Sequence, residues 1–296
     1  MKHAALAIFF VFLFVTHVPA QDNDRADTTF NLGKSWLLEL DPDDQPYPDY
    51  LADPRRPRME VGVGVADSDI PSTSSTRVML DLGTRYTLFK ITPVKEGKNE
   101  FALDIEGGLF TQFDPGNGLD VIGWDGRYGV FAVWDWSDKV AARVGYRHIS
   151  AHLGDEYIEQ TGRQRINYTR DDLAFGLSYF LNENIMIYVE PSWAWSMGNE
   201  NRQKRWAAEG GVQYEGPRDM WNNSTAFYAA AHVRAFDETD WDPGLSVQTG
   251  VHVKRDQRSS NLRLGVEGYI GRAILGEFAL DYDEAYLTLG IFFDFY

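Results

Sequence analysis

Arg77-Val78-Met79-Leu80-Asp81-Leu82-Gly83-Thr84-Arg85-Tyr86-Thr87-Leu88 decides the fold. Successive side chains of a β-strand point to opposite faces. Val78, Leu80, Leu82, Tyr86 and Leu88 therefore share one face, and Arg77, Asp81, Gly83 and Arg85 share the other. The pattern recurs where Leu103, Ile105 and Leu109 oppose Asp104, Glu106 and Gln112, and where Leu262, Leu264, Val266 and Ile270 oppose Arg263, Gly265 and Glu267. Twelve strands can be marked in this way: 59–66, 76–91, 100–113, 124–136, 139–152, 165–180, 185–197, 205–215, 225–236, 244–254, 260–270 and 284–296. A soluble antiparallel sandwich also alternates. A transmembrane barrel adds strands of about ten residues and aromatic girdles near their ends. Trp124, Trp134, Trp136, Trp193 and Trp195 sit near strand ends on the apolar side, as such a girdle requires. Charges and glycines stand at mid-strand on the polar face, which suits a lumen. The expected fold is all-β, a transmembrane antiparallel barrel of about 12 strands.

The flanks divide the rest of the chain. Residues 1–20 read as a secretory signal peptide, with an apolar run from Ala4 to Val15 and a small residue, Ala20, before Gln21. Residues 21–58 are polar, acidic and proline-containing, and read as a loosely structured periplasmic lead-in with one small helix around Ser35–Leu40. The barrel occupies 59–296. The chain has no cysteine, which excludes disulfides, cysteine-ligated metal and a thiolate nucleophile. A net charge of −16 argues against nucleic acid as a partner. Mean hydropathy is −0.37, a poor test for a barrel that shows its apolar face only at alternate positions. Loop lengths put the turns at Ser137-Asp138 and Leu181–Asn184 on the periplasmic side and the links near 114–123, 153–164 and 271–283 outside. The links at 92–99 and 216–224 are long for periplasmic turns. The expected location is the bacterial outer membrane.

Reactive side chains gather at 146–156, Tyr-Arg-His-Ile-Ser-Ala-His-Leu-Gly-Asp-Glu. His148, Ser150 and His152 share one face of a strand end. Arg143 and Arg147 belong in the lumen, so that face is the outward one. On the next strand Asn167, Thr169 and Asp171 share the outward parity. If His152 pairs with Asn167, then Ser150 lies opposite Thr169 and His148 opposite Asp171. A serine nucleophile needs an imidazole within hydrogen-bond reach and a third group to orient it. Ser150 is the candidate nucleophile, His148 or His152 the base, and Asp171 or Asn167 the orienting group. Residues four apart on a strand are about 13 Å apart, so the two histidines cannot share one zinc by themselves. Asp155 and Glu156 could contribute oxygens to a calcium that polarises an ester carbonyl.

Two resemblances carry this further. His148-x-Ser150, followed by a polar or acidic residue on the next strand, resembles outer-membrane phospholipase A and, more faintly, the lipid A deacylases. The resemblance implies a twelve-stranded barrel, a calcium requirement and membrane lipids (phospholipid or lipid A) as partners. Ala151-His152 follows the serine here instead of that family's Asn-Gly. Leu51-Ala-Asp-Pro-Arg55 with Pro57-Arg58, the aromatic-Asp run near Phe110–Asp114, and His148-x-Ser-x-His-Leu-Gly-Asp-Glu156 followed by Ile166-Asn-Tyr168 resemble an uncharacterised family of bacterial outer-membrane proteins with a His-x-Ser-Ser-His-Leu-Gly-Asp-Glu signature. Ala151 replaces the signature's second serine. The aromatic terminus Leu287–Tyr296 resembles the assembly signal of outer-membrane barrels and implies the barrel assembly machinery as a partner.

Plainer readings stand beside these. The histidines could form a polar rim that meets lipid headgroups, Asp155-Glu156 a solvated loop, and Arg147 with Asp172 a lumenal salt bridge. His232 and His252 read as lumenal wall residues. The rival to a lipid acyl hydrolase is a non-catalytic structural barrel or a small passive channel.

Overall fold

The structure, a computed structural model, describes residues 28–94, 99–217, 220–221, 224–253 and 260–295. The expected signal peptide lies outside the described residues. In chain order the elements are β1 (Thr29–Leu32), β2 (Trp36–Leu40), β3 (Met59–Ser68), β4 (Thr76–Pro93), β5 (Glu100–Asp114), β6 (Asp120–Ser137), β7 (Val140–Leu153), α1 (Asp155–Thr161), β8 (Thr169–Phe180), β9 (Ile185–Met197), β10 (Trp206–Glu215), β11 (Thr225–Phe236), β12 (Gly244–Val253), β13 (Ser260–Arg272), α2 (Gly276–Ala279) and β14 (Asp283–Phe295). Each strand from β3 to β14 pairs antiparallel with its neighbour, and β14 returns to β3 with Phe293 opposite Met59. Twelve strands thus close into a barrel, as the alternation led us to expect. Closure leaves these strands no open edge.

The two faces differ as the sequence requires. On β14, Leu289 is 70% exposed and its neighbour Thr288 is 1% exposed. Exposed tryptophans mark both ends of the apolar band: Trp134 and Trp136 at the end with short turns, and Trp193, Trp195 and Trp206 at the end with longer loops. The charges of the lumenal face and of the segment entering it pair. Arg58 reaches Glu60 and Glu267, Arg127 reaches Glu106, and Arg143 reaches Glu190. Arg147 reaches Glu190 and Asp172, and Arg263 reaches Asp294. A charge in a dry interior persists only when it is paired. The expected lumenal positions of His232 and His252 are likewise buried.

The segment before the barrel departs from expectation twice. Trp36–Leu40 is a strand, not a helix. β3 pairs with β4 only as far as Glu60 opposite Asp81, so the lower edge of β4 is left to β2, with Trp36 opposite Pro93 and Leu40 opposite Phe89. Residues 41–58 are not a loose lead-in; they turn from the wall into the lumen. Tyr47, Tyr50, Leu51, Ala52 and Asp53 are all 3% exposed or less. Arg55 pairs with Asp125, and Arg56 pairs with Asp49 and Asp294. A polar sequence suits a charged lumen as well as it suits water, and composition does not tell the two apart.

The loop end is covered from above. Ile274, Leu275 and Phe278 fold over the mouth and pack with Ala66, Ile70, Met79, Ile122, Leu153 and Tyr157. This cap meets the inward segment below it: Arg55 donates to the Ile274 carbonyl, and Asp125 accepts from Gly276 N at 2.9 Å. Cavities around Arg58 and Arg143 hold about 20 and about 10 Å³. That is room for a water molecule or so each.

Candidate active site on the outer face of the β7–β8 hairpin

The site is built by strand parity and register. Arg147, Ile149, Ala151 and Leu153 of β7 are buried inward, whereas His148, Ser150 and His152 are partly exposed on the outer face. The β7–β8 register places Ser150 opposite Thr169 and His148 opposite Asp171, as expected. β6 supplies the other flank, with Trp124 opposite His152 and Tyr128 opposite His148.

Two hydrogen-bonded pairs result. The Ser150 hydroxyl lies 3.1 Å from His152 Nε2. His148 Nδ1 lies 2.8 Å from Asp171 Oδ1, which also accepts from the Tyr146 hydroxyl at 2.7 Å. The imidazole beside the serine and the imidazole beside the acid are therefore different residues. Nδ1 of His152 has no hydrogen-bond partner among the described residues. His148 and Ser150, two apart on the strand, have Cα atoms about 6.6–6.8 Å apart, so turning the serine χ1 aims its hydroxyl at either histidine.

Aromatic rings frame both pairs. Trp124 stacks on His152 with ring centres 3.9 Å apart, and Tyr128 stacks on His148 at 4.7 Å. Tyr146 stacks in turn on Trp195 at 5.3 Å. The site is thus set into the interfacial aromatic belt, where amphipathic rings meet headgroups. Tyr146 shares the parity of His148 and was legible as a neighbour. Trp124 and Tyr128 were not, because a β-bulge between Asp135 and Ser137 shifts the β6–β7 register.

The other expected site residues lie elsewhere. Asn167 has a left-handed backbone (φ 57°), and its side chain donates to the Gly198 carbonyl at 3.4 Å, toward the β9–β10 loop. It is not brought to His152. Asp155 and Glu156 are exposed in the first turn of α1, where acidic residues complement the helix dipole. They offer two carboxylates where calcium takes six to eight oxygens. No cluster of three or more His, Asp or Glu with metal-binding geometry occurs among the described residues. The pair does not fit a calcium site by itself, and no catalytic step is assigned to the ion. The preceding Gly154 has a geometric role: a Cβ there would collide with the Val121 carbonyl.

A family model described as a protein of unknown function, DUF1207, matches residues 26–295. The chain belongs to that family. No curated protein matches it. Among solved structures, outer membrane phospholipase A from Escherichia coli superposes with a TM-score of 0.53 at 10% identity, covering 80% of this chain and 93% of that one. The Salmonella typhi outer membrane phospholipase, solved as a dimer with bound calcium, gives 0.52 at 11% identity, covering 80% and 91%. At such identities the likeness is one of fold. This DUF1207 chain has the fold of an outer-membrane β-barrel.

Proposed function

We propose that the outer face of the β7–β8 hairpin is a lipid acyl-ester hydrolase site with Ser150 as nucleophile. The observation that carries it is the Ser150–His152 contact of 3.1 Å on a membrane-facing surface, beside a second imidazole held by a carboxylate. Polar and ionisable side chains on that surface are costly in hydrocarbon and gain partners at the ester level of the bilayer. In the proposed reaction Ser150 Oγ attacks the acyl carbonyl carbon as its proton passes to His152 Nε2. The acyl C–O bond to the lipid alcohol breaks, and the alcohol leaves with that proton. Water, deprotonated by the same imidazole, then releases the fatty acid and restores Ser150. His148, oriented by Asp171, is the alternative base if the serine turns toward it. The long link between β7 and β8 favours the outer-leaflet end of the barrel for this site.

The test is acyl release from phospholipid and from lipid A by the refolded barrel, with and without calcium. Ser150→Ala should abolish release. His152→Ala should reduce it more than His148→Ala if His152 is the base, and the reverse order would reassign that role. No release from either lipid by a folded barrel would overturn the reaction. The non-catalytic readings then remain, and conductance separates them: a structural barrel is silent and a passive channel conducts.

A further inference from the structure

On the β6 side, Ser150 is flanked by a residue without a side chain. The β6–β7 register sets Trp124, Gly126 and Tyr128 opposite His152, Ser150 and His148. The outer members of these two rows are stacked ring on ring. Two aromatic columns thus stand on the wall, and Ser150 and the partly exposed Gly126 occupy the space between them. Trp124 and Tyr128, four residues apart on one strand, have Cα atoms about 13 Å apart. Nothing local demands the glycine. Its φ is not left-handed. A Cβ there would meet Trp124 Cζ3 at 3.7 Å and the Ser150 carbonyl at 3.9 Å, with no other atom beyond its chain neighbours within 4 Å. A glycine inside a strand weakens it, and where no bulge or bend explains it a closely approaching ligand does.

Beyond the notch the wall is apolar. Leu109 of β5 lies opposite Gly126, and Leu82 of β4, 46% exposed, lies opposite Leu109. Across four neighbouring strands, Ser150 and Leu82 are about 14 Å apart. Ser150 stands near the loop end of β7, which closes at Leu153, whereas Leu82 lies deeper along β4. Strands tilted by about 35–45° carry such a row obliquely into the bilayer. A hydroxyl at one end and a leucine floor beyond it suit one occupant, an acyl chain with its ester at the rim.

We propose that Gly126 admits the acyl chain of a membrane lipid, whose first methylenes lie between Trp124 and Tyr128 while its ester meets Ser150. The consequence for turnover rests on the lipid-site reading, whereas binding of the chain does not. The refolded Ser150→Ala barrel in maltoside micelles would be irradiated with a phosphatidylcholine carrying a diazirine close to one ester, and the labelled residues mapped by mass spectrometry. Adducts on Trp124 and Tyr128 that excess unlabelled phosphatidylcholine displaces are expected. Gly126→Leu should cut this labelling about tenfold, because its side chain takes the space of several methylenes. Gly126→Ala, whose Cβ has room, should cut it less. With Ser150 restored, Gly126→Leu should lower kcat/KM for nitrophenyl laurate about tenfold and leave nitrophenyl acetate within about twofold. Heat-modifiable migration on gels verifies that each variant is folded. Label spread evenly over the apolar band, or equal labelling of Gly126→Leu and its parent, would overturn the proposal. An unchanged laurate-to-acetate ratio in an active barrel would do the same. Displaceable label at the notch without hydrolysis of any ester would leave the acyl site standing and remove only the hydrolase.

Discussion

The Tyr146 hydroxyl and His148 Nδ1 converge on one oxygen of Asp171, at 2.7 and 2.8 Å. The tyrosine therefore positions the acid, and the acid positions the imidazole. Losing one such bond to a charged group costs about 1.5–3 kcal/mol when its partner stays in place. If Asp171 supports catalysis, Tyr146→Phe should slow acyl release about tenfold or more, and Asp171→Ala should slow it further. Equal rates for wild type and Tyr146→Phe would reduce this cluster to a polar rim. Which face His148, Ser150 and His152 occupy was legible in the sequence, because a period of two is a local property of the strand. Which imidazole meets the serine was not legible, because it depends on χ angles that the rings of Trp124 and Tyr128 help to set.

At the scale of elements, the cap over the loop end is held by a small ionic cluster. Arg163 and Arg202 both reach Asp281, at 2.8 and 2.6 Å. Partial burial works to raise the Asp281 pKa, but the hydrogen bonds and charges of Arg202 and Arg163 outweigh it and hold the carboxyl below its usual range. A depressed carboxylate stabilises the fold above its unfolded pKa of about 3.9, and the contribution fades as pH falls through the folded value. The cap should therefore loosen below about pH 4. Pepsin should cut within 273–282 faster at about pH 2.5 than at about pH 4.5, and Asp281→Asn should be cut readily at both. Neither α1 nor α2 was legible as a helix, since each is too short to show a helical period. The strands showed clearly, and their ends mostly fall within a few residues of expectation. The bulge at Trp136 left no such trace, although it decides which β6 rings reach the site.

Over the whole molecule, the inward course of residues 41–58 was the least legible feature. Its charges look like a solvated tail until their partners on the wall are known. Arg58 contacts Glu60 and Glu267 from a fully buried position. Arg58→Ala would leave those carboxylates uncompensated and should cost about 3–5 kcal/mol. Urea titration in detergent, followed by tryptophan fluorescence, would measure the loss. An unchanged midpoint would mean that the lumen is wetter than its cavities suggest. The same variant should show more frequent conductance steps in planar bilayers than the wild type does.

The span of these lumenal contacts also has a temporal consequence. Arg55 meets a carbonyl 219 residues downstream, and Arg56 a carboxylate 238 residues downstream, on the final strand. For most of synthesis and insertion the arginines near the start of the barrel thus have no such mates. Contacts of this reach form late and slowly. Sealing the cylinder and completing these long-range contacts become one event, timed by the arrival of the last strand. A chain truncated before β14 should remain open to protease throughout, rather than merely lack one twelfth of its wall.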